Sequence, residues 1–227
     1  MTLRPEDQAR IAAAIAEAER QTSGEIYCIY ARAAHRYRSW LIALSAFLGF
    51  AVPPASALLG FGPEAWTAAV LGGGWRDAHG GLGERETVGL LAAAQALVFL
   101  LVLALSWWSP LAQRWAPRAL RQRRVHALAT QHFLAHGLHL TEARTGVLLF
   151  VSELDHVAEV VADKGIHRLV GESVWVETVA ALLEGLRRQN PVQGFLDAIG
   201  IAGAVLAEHF PPRPGNPNEL PNRLVVV

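Results

Sequence analysis

The sequence predicts a small two-layer or three-layer α/β domain with a mixed sheet, interrupted by a two-helix transmembrane hairpin. Three observations lead there. Two long uncharged runs stand in the first half of the chain. Short β-forming segments lie on both sides of them, alternating with amphipathic helical patterns. Basic residues gather outside the two runs and are diluted between them. The 227 residues suffice for one or two domains. The mean hydropathy of +0.25 and 52% hydrophobic content are high for a soluble chain, and 18% charged residues is low.

The elements follow in order. Pro5 in a first turn, Glu6 and Asp7 against the N-terminal dipole, and Ile11, Ile15 and Ala18 on one face predict a helix from Glu6 to Arg20. Gly24 closes that turn. Glu25–Ala31 (EIYCIYA) is short, apolar and rich in β-formers, and reads as a buried strand. Cys28, the only cysteine, excludes an internal disulfide and a cysteine-rich zinc site, and reads as a small buried hydrophobe.

The runs Trp40–Gly62 and Val88–Trp108 carry no charge. About 20 apolar residues in a helix cross a hydrocarbon core of about 30 Å. Both runs are apolar on every face, unlike amphipathic core helices. Pro53-Pro54 should kink or shorten the first, and Trp107-Trp108 ends the second with interface-seeking indoles. The first run begins too deep in the sequence for a cleavable signal peptide. Arg32, Arg36 and Arg38 precede the first run, and Arg114, Arg118, Arg121, Arg123 and Arg124 follow the second. Between them Arg76 and Arg85 are outweighed by acids. The basic excess puts both termini in the cytoplasm and an outer loop, 63–87, on the other side of a cell inner membrane. Trp66, Val70, Leu71 and Trp75 in that loop either rest on the membrane surface or merely connect the spans.

Pro117 opens a helix to about His136, with Gly137 as its stop. Thr145–Ser152 and Val157–Ala162 read as strands joined through a four-residue hairpin loop. Ser173 is the expected cap of a helix from Val174 to Gln189, and Asn190-Pro191 starts a last helix to about His209. Pro211–Arg223 reads as irregular. Leu224–Val227 reads as an added strand, a partner-binding end or a frayed end. A lone first strand cannot bury two faces. It must therefore pair with the later ones, which makes 37–116 an insertion between 1–36 and 117–210 of one domain, with 211–227 as a tail.

Several motifs resemble the TPM-domain family, in its bacterial membrane-bound branch, and they occur in the right order. Glu19-Arg20-Gln21-Thr22-Ser23-Gly24-Glu25-Ile26 is similar to the family's entry to its first strand. Arg144–Ser152 is similar to its central strand, and Ala162–Ile166 to the turn after the next strand. His209-Phe210-Pro211 and Asn218–Leu224 are similar to its close. The resemblance covers the chain outside Tyr37–Pro117. It implies a small α/β sandwich with a mixed sheet, Rossmann-like in appearance. Its relatives include a thylakoid-lumen protein linked to photosystem repair and acid phosphatase activity, and an animal modulator of a receptor channel. Secreted members carry Gly-x-Gly-Leu-Glu and then Thr-Asp, acids able to hold a divalent cation. Here the turn is Lys164-Gly165-Ile166-His167, then Gly171-Glu172, so the resemblance does not carry that site over.

Catalytic motifs are sparse. No Cys-x5-Arg loop, Asp-x-Asp, Walker loop or Gly-x-Ser-x-Gly elbow occurs. Asp163, Lys164 and Gly165 join a carboxylate, the only lysine and a glycine at a strand end, which reads as a ligand site or as a plain turn. Glu25, Asp163 and Glu172 are the candidate ligands of a divalent cation, though no cofactor is expected. His132 and His136 stand at i, i+4 with His139 beyond them. Without a zincin glutamate they read as surface or cap histidines. Arg118, Arg121, Arg123 and Arg124 suit topology and anionic-lipid contact. A net charge of +0 argues against a nucleic-acid partner. The functional expectation is a non-enzymatic accessory domain for a membrane complex, with a protein and the lipid bilayer as partners. The alternative is a metal-dependent phosphoester hydrolase.

Overall fold

The computed structural model describes residues 4–33, 38–63, 65, 66, 68, 83–108, 116–213, 215 and 218–227. The side chains of 38, 39, 106–108 and 172 lie outside that description. The chain forms two compact units. One is made of 1–35 and 117–227, the other of 36–116.

The first unit is a three-layer α/β structure around one mixed sheet of four strands. Helix α1 (Pro5–Glu19) begins with proline at its first turn and buries Ile11 and Ile15. Strand β1 (Glu25–Ala31) is buried along its whole length. Strand β2 (Gly146–Ser152), equally buried, runs parallel to β1 with Glu25 opposite Gly146. Burial on both faces explains why each reads as an unbroken apolar run rather than an alternating one. Strand β3 (Val157–Ala162) returns antiparallel to β2 through the tight turn at 153–156, where His156 takes a positive φ of 50°. Leu224–Val226 forms β4, a short strand parallel to β1 on its other edge, giving the order β3-β2-β1-β4. Of the three readings of the chain's end, the strand is the one observed.

Alternation along the strands sorts the core into two faces. Ile26, Cys28 and Tyr30 with Val147, Leu149 and Val151 face α1 and two later helices, α6 (Val176–Arg187) and α7 (Pro191–His209). Tyr27, Ile29, Leu148 and Phe150 face Val125, Ala129 and Phe133 of α4 (Arg118–Ala135). Gly137, at φ 73°, ends α4 in the left-handed conformation expected of a helix stop. Asn190 caps α7 by accepting the N–H of Gln193. Ser173, expected to cap α6, lies instead in a 3-10 turn (Glu172–Trp175) that precedes the helix. The turn after β3 is also more ordered than a bend: Lys164–His167 form a single helical turn, α5.

The second unit consists of α2 (Arg38–Leu58) packed along α3 (Glu84–Trp108). Helix α2 passes through Pro53 and Pro54 and stops at Leu58, short of the expected Gly62. Gly60 at φ 88°, with Gly60 N–H on Ala57 O and Phe61 N–H on Ser56 O, closes it in a Schellman motif. Helix α3 starts one turn earlier than expected, because Glu86 accepts the Gly83 N–H and caps the added turn. Among the described residues, three helices are long and apolar enough to cross a membrane: α2, α3 and α7. Half of α7 is buried in the first unit, where Phe195, Ala198, Ile199, Ala202 and Leu206 pack in the core, so its apolarity has a local use. The outer surfaces of α2 and α3 are instead uncovered, with Phe47, Phe50, Leu97 and Leu105 all exposed.

Candidate functional site

Two segments far apart in the sequence meet in space. The stretch from Glu19 to Ile26 joins α1 to β1, and the tail segment from Asn218 to Leu224 crosses directly over it. Glu25 Oε1 and Oε2 accept the backbone N–H groups of Glu219 (3.4 Å) and Leu220 (3.2 Å). Glu19 Oε1 accepts the N–H of Ile26 at 3.0 Å, and Gln8 donates from its side chain to Leu224 O. Thr22 Oγ1 donates to Phe210 O at 2.6 Å, which ties the end of α7 to the same joint. A tail without regular structure needs its backbone groups satisfied by side chains, and these do so.

Beside this joint lies an open cleft of about 680 Å³, lined by Glu19, Arg20, Glu25, Arg213, Asn218 and Asn222 among others. Burial pushes the Glu19 carboxyl up to about 8, and the neighbouring Glu25 charge adds to that. The Ile26 N–H and the Asn222 side chain pull the other way. Burial also raises Glu25, against two backbone N–H donors that hold its ionised form, while the Glu219 charge adds to the rise. Glu19 therefore keeps its proton at neutral pH, when it can both donate and accept a hydrogen bond. A proton-bearing carboxyl at the wall of a polar cleft is an arrangement suited to binding or proton transfer. Glu19 and Asn222 were not singled out as site residues from sequence. Nothing in one dimension brings positions about 200 apart together.

The predicted ligand set is placed as follows. Asp163 N–H donates to Gly146 O, and Gly146 is opposite Glu25, so the three lie in one row across the sheet. Two strand spacings put Asp163 roughly 9–10 Å from Glu25. The Leu138 carbonyl fills the position a Gly146 side chain would take, 2.4 Å from where its Cβ would stand. Main chain therefore occupies the space between the two carboxylates. Asp163 is buried and caps α5, its Oδ1 accepting the Lys164 N–H at 2.6 Å. Its Oδ2 is buried without a hydrogen-bond partner. Because β3 is antiparallel, Asp163 sits at the N-terminal ends of β1 and β2, the opposite end from a parallel-strand ligand crevice. Gly165 is not a conformationally free turn residue. It lies in α5, where a Cβ would stand 2.4 Å from Arg144 O, so close packing demands the glycine. Lys164 is exposed, and the Glu172 side chain lies outside the described residues. Among the described residues, no three His, Cys, Asp or Glu gather to hold a metal.

The basic helix divides its arginines. Arg118, Arg123 and Arg124 are exposed. Arg121 is turned inward, donating from Nη1 to Asp155 O at 2.8 Å at the β2–β3 turn. Cys28 is fully buried, and burial pushes its thiol up, leaving it inert.

No protein-family model matches the sequence, and no curated protein matches it. Among solved structures, the chain is similar to the NMR structure of BA42 protein from the psychrophilic bacterium Bizionia argentinensis. The TM-score is 0.56 at 19% identity, over 100% of this chain and 97% of that one. At this identity the likeness carries the fold alone. The class defined by fold and site is thus an α/β protein with a mixed four-stranded sheet and a carboxylate-walled cleft bordered by its own tail.

Proposed function

We propose that the chain is a membrane-anchored TPM-like domain that acts as a non-enzymatic accessory or interaction module in the assembly or maintenance of a membrane complex. The observation that carries this reading is the apolar exterior of α2 and α3, on which Phe47 and Phe50 are 68% and 72% exposed. Large contiguous apolar surface of this kind calls for a lipid or protein cover. The hairpin spans the cell inner membrane in this reading, with both termini in the cytoplasm. Arg118, Arg123 and Arg124 then lie where anionic headgroups are met, each contributing about 1 kcal/mol. The cleft beside Glu19 and Glu25 is the surface offered to a protein partner.

A second reading, a metal-dependent phosphoester hydrolase, has one observation in its favour. The unpartnered, buried Asp163 Oδ2 is the kind of oxygen that a divalent cation satisfies. Purified full chain supplied with calcium, magnesium, manganese or zinc and a generic phosphoester separates the two. The accessory reading expects no turnover above the metal-only background. Turnover that Asp163→Ala abolishes would overturn it in favour of the hydrolase.

A further inference from the structure

The C-terminal turn of α4 carries a second group of chemically capable side chains, on the same sheet-facing side of the helix as Val125 and Ala129. His132 and His136 are one helical turn apart, so their imidazoles project side by side. Their ring centroids are 5.7 Å apart and the planes nearly parallel, at 11°. Two imidazoles that ligate one ion through nitrogens at 2.0–2.1 Å place their centroids about 5 Å apart. The observed centroid separation is close to that value, and ligation requires the two rings to turn out of their near-parallel arrangement.

The surroundings favour ligation over a charged, solvated pair. Tyr27 of β1 places its hydroxyl 3.4 Å from His136 Nδ1, and its ring centroid is 4.8 Å from the imidazole. With the proton on Nδ1 donated to the phenol oxygen, Nε2 is left as the free, basic nitrogen. That is how an outer partner orients a metal-bound histidine. The Phe150 ring lies 6.0 Å from His132. Both rings remain partly exposed, which leaves an entry path for an ion.

We propose that His132 and His136 form a binding site for a borderline divalent transition metal such as Zn²⁺ or Cu²⁺, oriented by Tyr27 and completed by water. Imidazole suits these ions, and the hard cations Mg²⁺ and Ca²⁺ do not compete for it. No third His, Cys, Asp or Glu joins the pair among the described residues, so the ion keeps open positions. The site is independent of the carboxylates at Glu25 and Asp163, and its failure leaves the accessory reading untouched.

The test is a calorimetric titration of the full chain in detergent micelles, without a histidine tag, with Zn²⁺ and separately with Cu²⁺. The expected result is one saturable site, weakened on the order of a hundredfold by His132→Gln or His136→Gln and about tenfold by Tyr27→Phe. His126→Gln and His209→Gln should leave it unchanged, and bound Zn²⁺ should raise the thermal midpoint of the wild type but not of the His132→Gln, His136→Gln double variant. Circular dichroism identifies any variant that is unfolded, and the midpoint shift in the folded single variants then decides. Absence of saturable binding, or binding that survives in the double variant, overturns the proposal.

Discussion

The Glu25 carboxylate accepts the backbone N–H of Leu220 at 3.2 Å, a bond that links the first residue of β1 to the tail 195 positions away. With its companion bond from Glu219, it makes the first strand the anchor of the chain's last segment. Glu25→Ala leaves two N–H groups to find water or stay unpaired, and should destabilise the first unit by about 1–3 kcal/mol. Hydrogen exchange checks this locally. Amides of residues 219–226 should lose protection, while those of β2 keep theirs.

Glu19 makes stability depend on pH in an unusual direction for a carboxylate. Its folded pKa is raised to about 8 from a reference of 4.5. The folded state therefore binds the proton more tightly than the unfolded one, and the stabilising term is full below about pH 4.5. It is lost progressively as pH rises toward 8 and beyond. The loss amounts to about 2–4 kcal/mol, after some discount for partial solvation. Glu19→Gln keeps the acceptor for the Ile26 N–H but cannot ionise. Denaturant unfolding from pH 5 to 9 should show the wild type falling relative to Glu19→Gln. Parallel curves would contradict the assignment.

Helices α6 and α7 cross in backbone contact. A Cβ at Gly185 would lie 2.5 Å from the Gly194 Cα, so neither position has room for a methyl group. Gly185→Ala should cost about 1–3 kcal/mol, because overpacking forces the helices apart. Thermal unfolding measures it. The same change at Gly200, which has open space, should cause no such loss.

The arginines of α4 should separate by role. Arg121→Ala removes a donor from Asp155 O and should lower stability by about 1–2 kcal/mol. Arg123→Ala with Arg124→Ala should leave stability unchanged while reducing the affinity of the protein, in nanodiscs, for added anionic lipid. Equal effects from both would argue against the division.

Much of the fold was legible because its signals are local. The apolar runs of β1 and β2, the Asn190-Pro191 start of α7 and the Gly137 stop of α4 each act within a few residues, and each is found where expected. The misplaced details were those settled by tertiary contact. Ser173 is overridden by the 3-10 turn, and the start of α3 depends on Glu86 reaching back to Gly83. The candidate site was less legible. Glu25 and Asp163 share a row of the sheet, but the Leu138 carbonyl between them is invisible in the sequence. Glu19 looked like one more acid at the end of an amphipathic helix until the tail closed over it.

The central claim is that α2 and α3 form a membrane hairpin inserted within one α/β domain. Single cysteines placed near each terminus and within 63–87, in a Cys28→Ala background, test it by labelling with an impermeant thiol reagent. In intact spheroplasts the account predicts labelling at 63–87 alone, with both termini reacting only after lysis. Labelling of either terminus before lysis, or recovery of the protein in the soluble fraction, would contradict it.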